Sequence, residues 1–93
     1  MNKVIKFSAS WCGPCKAMAP QFEKFQQAHQ EDSVEIVDVD IDQDFELASQ
    51  YQVRSIPHTV FIKEGEVVDR IAGIANFEKL NLTYNRSFLS GSM

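Results

Sequence analysis

The residues of this chain most able to do chemistry are its only two cysteines, Cys12 and Cys15, in the segment WCGPC. A pair at this spacing can form a structural disulfide, supply half of a metal site, or exchange with another disulfide. A disulfide that closes so short a loop restricts the unfolded chain only weakly. A structural zinc ion needs four ligands, and the only histidines, His29 and His58, stand at spacings that fit no usual zinc pattern. Redox chemistry is therefore the favoured interpretation.

A helical pattern begins at Cys12, because apolar residues follow it at three- and four-residue steps: Cys15, Met18, Phe22 and Phe25. Cys12 is therefore expected at a helix N-terminus, where unpaired N–H groups and the positive end of the helix dipole favour the nucleophilic thiolate. Cys15 falls one turn later on the predicted buried face, where a low dielectric keeps a thiol protonated. The two thiols should therefore differ in reactivity.

The neighbours of the cysteines fit this chemistry. Lys16 adds positive charge one turn into the helix, and Pro14 suits the first helical turn, where no hydrogen bond is lost. Trp11 offers a flat apolar surface beside the sulfur atoms, on which a polypeptide can dock. Partial packing of Trp11 into the core is the alternative.

The order of predicted elements is βαβαββα. Strands are expected over residues 4–7, 34–39, 58–63 and 66–71, and a Glu64-Gly65 turn joins the last two into a hairpin. A short helix follows Asp40, Asp42 and Asp44, any of which can accept backbone N–H groups at its start, and Asn76 can cap a C-terminal helix. The first two strands, joined by a helix, should be parallel. We therefore predict a single α/β domain over residues 1–93, with a mixed four-stranded sheet, helices on both faces and a frayed end at residues 90–93.

Composition and charge exclude several classes of protein. The chain is 44% hydrophobic with a net charge of −4, which is ordinary for a globular domain. Residues 31–53 contain eight acidic side chains and no lysine or arginine, and no basic stripe offers a surface to nucleic acid. No apolar run is long enough for a signal peptide or a membrane span. We therefore expect no nucleic-acid or membrane partner. We also expect a cytoplasmic protein, because a lone CxxC pair is more typical of reducing compartments.

The Ile56-Pro57 dipeptide is a second candidate for the site. The hairpin that follows it returns to the sheet and can bring Pro57 beside Cys12. A cis bond there would present the backbone of Ile56 to an extended substrate segment. His58 comes next and points either to the same groove or to the other face of the sheet.

Several segments, in order and spacing, resemble the thioredoxin family. They span residues 4–73 and are WCGPCK, a proline five residues after the second cysteine, VDVDID, RSIP, KEGEVV and IAG. The resemblance implies a thioredoxin-like fold in which Cys12 attacks a target disulfide, Cys15 resolves the mixed disulfide, and Pro57 is a cis proline opposite them. It also implies a groove bordered by Trp11, Gly13, Pro14, Ile56, Pro57 and Gly73.

The function implied by the resemblance is reduction of protein disulfides. No bound cofactor is expected, since electrons would come from a thioredoxin reductase, and a monomer is expected. Two other functions remain open. The small size is also compatible with a glutaredoxin-like reductase that uses glutathione, and the fold can serve as a protein-binding module without redox turnover.

The chain departs from the family pattern in two ways. Thioredoxins normally carry an additional strand and helix before the strand that begins here at Val4, so a shortened core with a newly exposed edge is expected. The family's buried aspartate on that strand falls at Lys6, and the position often occupied by its lysine partner falls at Asp38. We predict an inverted pair that changes the pKa of Cys15 or takes part in its proton transfer. The alternative is that Lys6 snorkels outward along its aliphatic stem.

Overall fold

The structure, a computed structural model, describes residues 1–89, so the predicted fraying of residues 90–93 lies outside the described residues. Its seven elements are β1 (Lys3–Ser8), α1 (Gly13–Ala28), β2 (Glu35–Asp40), α2 (Phe45–Gln50), β3 (His58–Lys63), β4 (Glu66–Ala72) and α3 (Phe77–Phe88). The predicted βαβαββα order is confirmed. β1 extends one residue further than predicted at each end because its polar ends, Lys3 and Ser8, still pair with β2. Within residues 1–89, no helix combines the length and apolarity needed to cross a bilayer.

The four strands form one mixed sheet in the order β2-β1-β3-β4. β1 runs parallel to β2 and antiparallel to β3, and β3 and β4 form the predicted hairpin. Its turn residues Glu64 and Gly65 both have left-handed backbone conformations, with φ of 54° and 82°, which suit the twist of a two-residue hairpin turn. β1 and β3 are therefore central strands with neighbours on both sides.

Each face of the sheet carries its own apolar core, because neighbouring residues of a strand point to opposite faces. The core shared with α1 and α3 contains Val4, Met18, Phe22, Phe25, Val34, Phe61, Ile71, Ala75, Leu80 and Tyr84. The core on the α2 face contains Ile5, Phe7, Ala48, Val60 and Ile62. The predicted α/β architecture with helices on both faces is confirmed.

Side chains cap the helix starts as expected. The Asn76 Oδ1 atom accepts a hydrogen bond from the Lys79 N–H at 2.8 Å and begins α3. The Asp44 Oδ1 atom accepts from the Leu47 N–H at 3.1 Å and begins α2. Each bond satisfies a backbone donor that has no partner within its own helix. The chain therefore enters both helices at fixed residues.

A polar network joins the end of α1 to α3. The Asp32 Oδ2 atom accepts hydrogen bonds from the Tyr84 hydroxyl at 2.6 Å and from His29 Nδ1 at 2.8 Å. The His29 ring stacks on Tyr84 with ring centroids 3.8 Å apart, and its Nε2 atom lies 2.6 Å from Asn81 Oδ1. The hydrogen bonds from Tyr84 and His29 lower the pKa of Asp32. Burial, together with the Asp32 carboxylate, raises the pKa of Tyr84.

Replacing Tyr84 by Phe tests this network. We expect Tyr84→Phe to lower the free energy of unfolding at neutral pH by about 1 kcal/mol, since a hydrogen bond to a partly exposed carboxylate is lost. A carboxyl whose folded-state pKa is depressed stabilises the fold above its unfolded pKa, here 3.8, and loses that contribution as the pH falls through the folded value. The difference between variant and wild type should therefore narrow in acid.

Urea unfolding at several pH values measures this difference. Tyr51→Phe is the matched control, since the Tyr51 ring contacts Phe7 but its hydroxyl bonds to no described residue. Equal destabilisation by both substitutions, or a Tyr84→Phe effect that does not change with pH, would contradict the assigned network.

Candidate active site

Cys12 and Cys15 form a disulfide across the first turn of α1, with their Cα atoms 5.3 Å apart. Cys12 is the N-cap residue, and its Sγ atom accepts a hydrogen bond from the Cys15 N–H at 3.2 Å. Both residues are buried, with 5% and 3% of their surface exposed. The predicted difference in position is thus present, since one sulfur caps the helix and the other begins its buried face.

The local sequence explains why the chain turns into a helix at this point. The Cys12 N–H donates to the Ala9 carbonyl at 3.1 Å, which closes a tight turn directly after β1. Pro14 lies in the first helical turn, where its missing N–H leaves no gap. A Cβ atom built on Gly13 would meet no atom of residues 1–89 within 4 Å, so no described neighbour requires glycine there. The absent side chain instead leaves room for a molecule outside the chain.

The segment before β3 lies beside the disulfide. Ile56 packs against the small buried cluster of Ala9, Cys12 and Cys15, and the Ile56–Pro57 peptide bond is cis. Ile56 precedes the β1–β3 ladder, which begins at His58. The structure thus brings the two candidate segments of the sequence together.

Gly73 holds the other side of this segment. Its N–H donates to the Pro57 carbonyl at 2.8 Å, and its φ of 91° is a conformation that favours glycine. A side chain at this position would strain the backbone that fixes Pro57. Pro57 and Gly73, both predicted site residues, therefore act on each other directly.

Trp11 lies on the surface, with 65% of its area exposed, so the alternative of core packing is wrong. Its indole Nε1–H donates to Asp42 Oδ2 at 2.8 Å. Sequence reasoning did not find this partner, because Asp42 stands in an acidic run whose residues all resemble helix caps. The hydrogen bond gives an exposed aromatic ring a defined orientation.

A groove of about 430 Å³ runs from Trp11 to Ile56. Phe45, which is 73% exposed, stands on its wall. The remaining lining residues are Ile41, Ala48, Ser49, Gln52, Val53, Arg54 and Ser55. An apolar groove of this kind, beside a disulfide, suits an extended polypeptide better than a small polar molecule.

Lys6 is buried, with 1% of the residue exposed, so the alternative that it snorkels outward is wrong. Its Nζ atom lies 3.3 Å from Asp38 Oδ2, on the face of the sheet that α1 covers. Ser8, which sequence analysis did not single out, donates a hydrogen bond from its hydroxyl to Asp38 Oδ1 at 2.8 Å. The predicted inverted pair is therefore present in geometry.

His58 faces away from this pair. It shares the α2 face of the sheet with Val60 and Ile62, and it does not line the groove beside Trp11. Its Nε2 atom lies 3.2 Å from the Arg70 guanidinium, so the guanidinium donates to a neutral ring. Burial, with a smaller contribution from the Arg70 charge, lowers the pKa of His58. His58 should therefore carry no charge near neutral pH.

A four-stranded mixed sheet with a disulfide at a helix N-terminus and a cis proline beside it is the architecture of thioredoxin-like proteins. Comparison with known proteins agrees, because the sequence profile of the thioredoxin family matches residues 1–86. The chain belongs to the thioredoxin family.

Individual relatives support the same assignment. Mouse mitochondrial thioredoxin is 43% identical over 77 residues, which are 83% of this chain and 46% of that protein. The chain thus spans about half the length of the mitochondrial thioredoxins that it matches. Thioredoxin of Bacillus subtilis is 41% identical over 80 residues, which are 86% of this chain and 76% of that protein. The structure of Fasciola hepatica thioredoxin superposes with a TM-score of 0.82 at 44% identity, covering 92% of this chain and 80% of that one.

Removing the carboxylate of Asp42 should release Trp11. We expect Asp42→Ala to increase the local motion of the indole, because its one side-chain hydrogen bond is lost, and to change stability by less than about 1 kcal/mol, since the bond is exposed. Time-resolved fluorescence anisotropy reports on this ring alone, because the chain contains one tryptophan. Glu46→Ala, in the same acidic region, is the control. Unchanged anisotropy in Asp42→Ala would contradict the hydrogen bond.

Proposed function

We propose that this chain is a thiol–disulfide oxidoreductase that reduces protein disulfides through Cys12 and Cys15. The observation that carries the proposal is the position of Cys12 as the N-cap of α1, with its sulfur accepting the Cys15 N–H. In the reduced protein, the same N–H and the helix dipole stabilise a thiolate on Cys12. Family membership supports the same chemistry.

The reaction is an exchange of sulfur–sulfur bonds. The Cys12 thiolate attacks one sulfur of a target disulfide, forms a mixed disulfide and releases the other sulfur as a thiolate. Cys15 then loses its proton and attacks the Cys12 sulfur. The bond between Cys12 and the target breaks, and the target leaves with its second thiol. The target gains two electrons, which the protein loses as its own disulfide forms.

The groove between Trp11 and Ile56 is the proposed binding surface for the target. Gly13 and Pro14, between the two cysteines, are exposed, and the space beside Gly13 allows a target backbone to approach the sulfur atoms. Ile56 lies outside the strand ladder, which supports a role for its backbone groups in pairing with an extended target segment. Partners would therefore be proteins with accessible disulfides.

The electron donor is proposed to be a thioredoxin reductase. No bound cofactor is required, because the protein carries its two electrons in the Cys12–Cys15 couple. A reducing compartment suits this cycle, and the proposed location is the cytoplasm. Some relatives are mitochondrial thioredoxins. A monomer remains the proposed state.

Reduction of insulin tests the proposal. We expect turnover with NADPH and a thioredoxin reductase, and little with glutathione and glutathione reductase. Preference for glutathione would instead support the glutaredoxin-like alternative. Absence of any disulfide reduction would overturn the proposal and leave the protein-binding module as the remaining function.

Replacing Cys12 and replacing Cys15 should have different effects on disulfide reduction. Cys12→Ser should reduce turnover to the uncatalysed background, because the attacking sulfur is lost. Cys15→Ser should attack once and remain joined to its target, since nothing resolves the mixed disulfide. Gel electrophoresis without reductant detects this adduct. The double variant Cys12→Ser, Cys15→Ser is the control, and adducts formed by it would contradict the roles assigned.

A further inference from the structure

Among residues 1–89, Lys6 is the only lysine, arginine, aspartate or glutamate that is buried. Its side chain is 2% exposed, whereas the Asp38 side chain with which it pairs is 45% exposed. Removing an ammonium from water is costly, and a half-solvated carboxylate compensates for only part of that cost. Because the ammonium is the buried member of the pair and the carboxylate is its solvated member, the positive end of the pair faces the protein interior.

The buried side of Lys6 faces helix α1. The Nζ atom lies 5.1 Å from the centroid of the Phe22 ring. Phe22, Met18 and Cys15 form one stripe along the buried face of α1, at three- and four-residue steps. The ammonium is therefore directed toward the helix face that begins with Cys15.

Lys6 and Cys15 line the same cavity of about 360 Å³, which is open to solvent. Its other charged groups are Lys16 of α1, Asp38 and Asp40 of β2. Lys16 and Asp38 are exposed, so solvent screens them. Asp40, the last residue of β2, accepts a hydrogen bond from the Asp42 N–H at 2.8 Å. Opposite Lys6, β3 contributes the neutral Thr59. Among the residues of 1–89 that line this cavity, Lys6 is the one buried charged side chain.

We propose that Lys6 is a positioning residue for the second half of the reaction, in which its ammonium stabilises the thiolate of Cys15. The inference rests on the proposed function and deepens it. In the mixed disulfide, the Cys15 thiol releases its proton to water in the cavity, and the new thiolate gains the Lys6 ammonium as a counter-ion. The thiolate then attacks the Cys12 sulfur and expels the target thiolate. Cys12, at the helix N-terminus, does not depend on Lys6.

The sign of the Asp38 effect separates this mechanism from proton transfer to a carboxylate. If Lys6 acts as a counter-ion, Asp38 weakens it, so Asp38→Asn should leave the resolving step as fast or faster. If the Asp38 carboxylate takes the proton itself, the same substitution should slow that step. The amide oxygen introduced by Asp38→Asn can still accept the Ser8 hydrogen bond, so the loss of charge is the main change.

Reaction of the reduced protein with dithiobis(nitrobenzoate) separates the two steps. Attack by Cys12 releases a first thionitrobenzoate and leaves the other joined to Cys12. Attack by Cys15 releases the second and forms the internal disulfide. Stopped-flow absorbance follows both phases, and their pH profiles report on Cys12 and Cys15 respectively.

Lys6→Met keeps the aliphatic stem and removes the charge. We expect the second phase at neutral pH to slow by about 3- to 10-fold. A nearby opposite charge typically changes the pKa of an ionisable group by about 1 to 3. The greater nucleophilicity of a more basic thiolate offsets part of the rate lost with the smaller thiolate fraction. The profile should move to higher pH and reach the wild-type rate in alkali. The first phase should remain unchanged.

Two further variants complete the test. Lys6→Arg should preserve the second phase, because it keeps the charge. Lys24→Met is the matched control, since Lys24 also lies over an aromatic ring, with its Nζ 4.7 Å from the Phe77 centroid, but does not line the cavity.

The outcomes distinguish the two proposals. A wild-type first phase that is absent would overturn the proposed function. Three results, each with a normal first phase, would overturn only the role of Lys6. Lys6→Met could leave the second-phase pH profile unchanged or slow the second phase equally at every pH. Alternatively, Asp38→Asn could slow the second phase.

Discussion

The site depends on one packing interaction, the apolar face of α1 against the sheet. Met18, Phe22 and Phe25 are almost completely buried, with 0%, 2% and 0% of their surface exposed. The helix cannot slide or rotate without bringing these side chains into water, at about 25 cal/mol for each Å² of apolar surface exposed. The N-terminus of α1 is therefore held at one end of the sheet. Both cysteines belong to that first turn and are fixed with it.

The same packing creates the electrostatic asymmetry of the site. Cys12 lies at the helix N-terminus, where its sulfur accepts a backbone N–H and the positive end of the helix dipole is closest. Cys15 lies on the buried stripe, where the only buried ammonium of the described residues shares its cavity. One thiol is thus influenced by the helix terminus and the other by a side chain of β1. Two successive reactions at adjacent sulfurs can be tuned separately in this arrangement.

Much of the fold was predictable because its signals are local. Apolar periodicity located α1, alternation and turn residues located the hairpin, and Asn76 is a cap that a short stretch of sequence reveals. Local sequence did not choose among the three aspartates before α2, and only the structure identifies Asp44 as the cap. The ends of β1 were predicted less accurately, since Lys3 and Ser8 are polar and join the strand only through their pairing with β2. The left-handed conformation of Gly73 was also not predictable from local sequence, because it accompanies a hydrogen bond from the Gly73 N–H to the Pro57 carbonyl.

The sequence by itself determined the chemistry and the order of elements, because two cysteines at CxxC spacing before a helical pattern define a reactive pair without reference to the rest of the chain. Tertiary structure alone decided which distant groups meet that pair. Trp11 and Asp42 are 31 residues apart, and their hydrogen bond depends on the path of the chain after β2. Lys6 could have reached solvent or the core, and only the register of β1 with β2 and the packing of α1 place its ammonium between Asp38 and the helix. Such contacts follow from the folded geometry, since no local propensity encodes them.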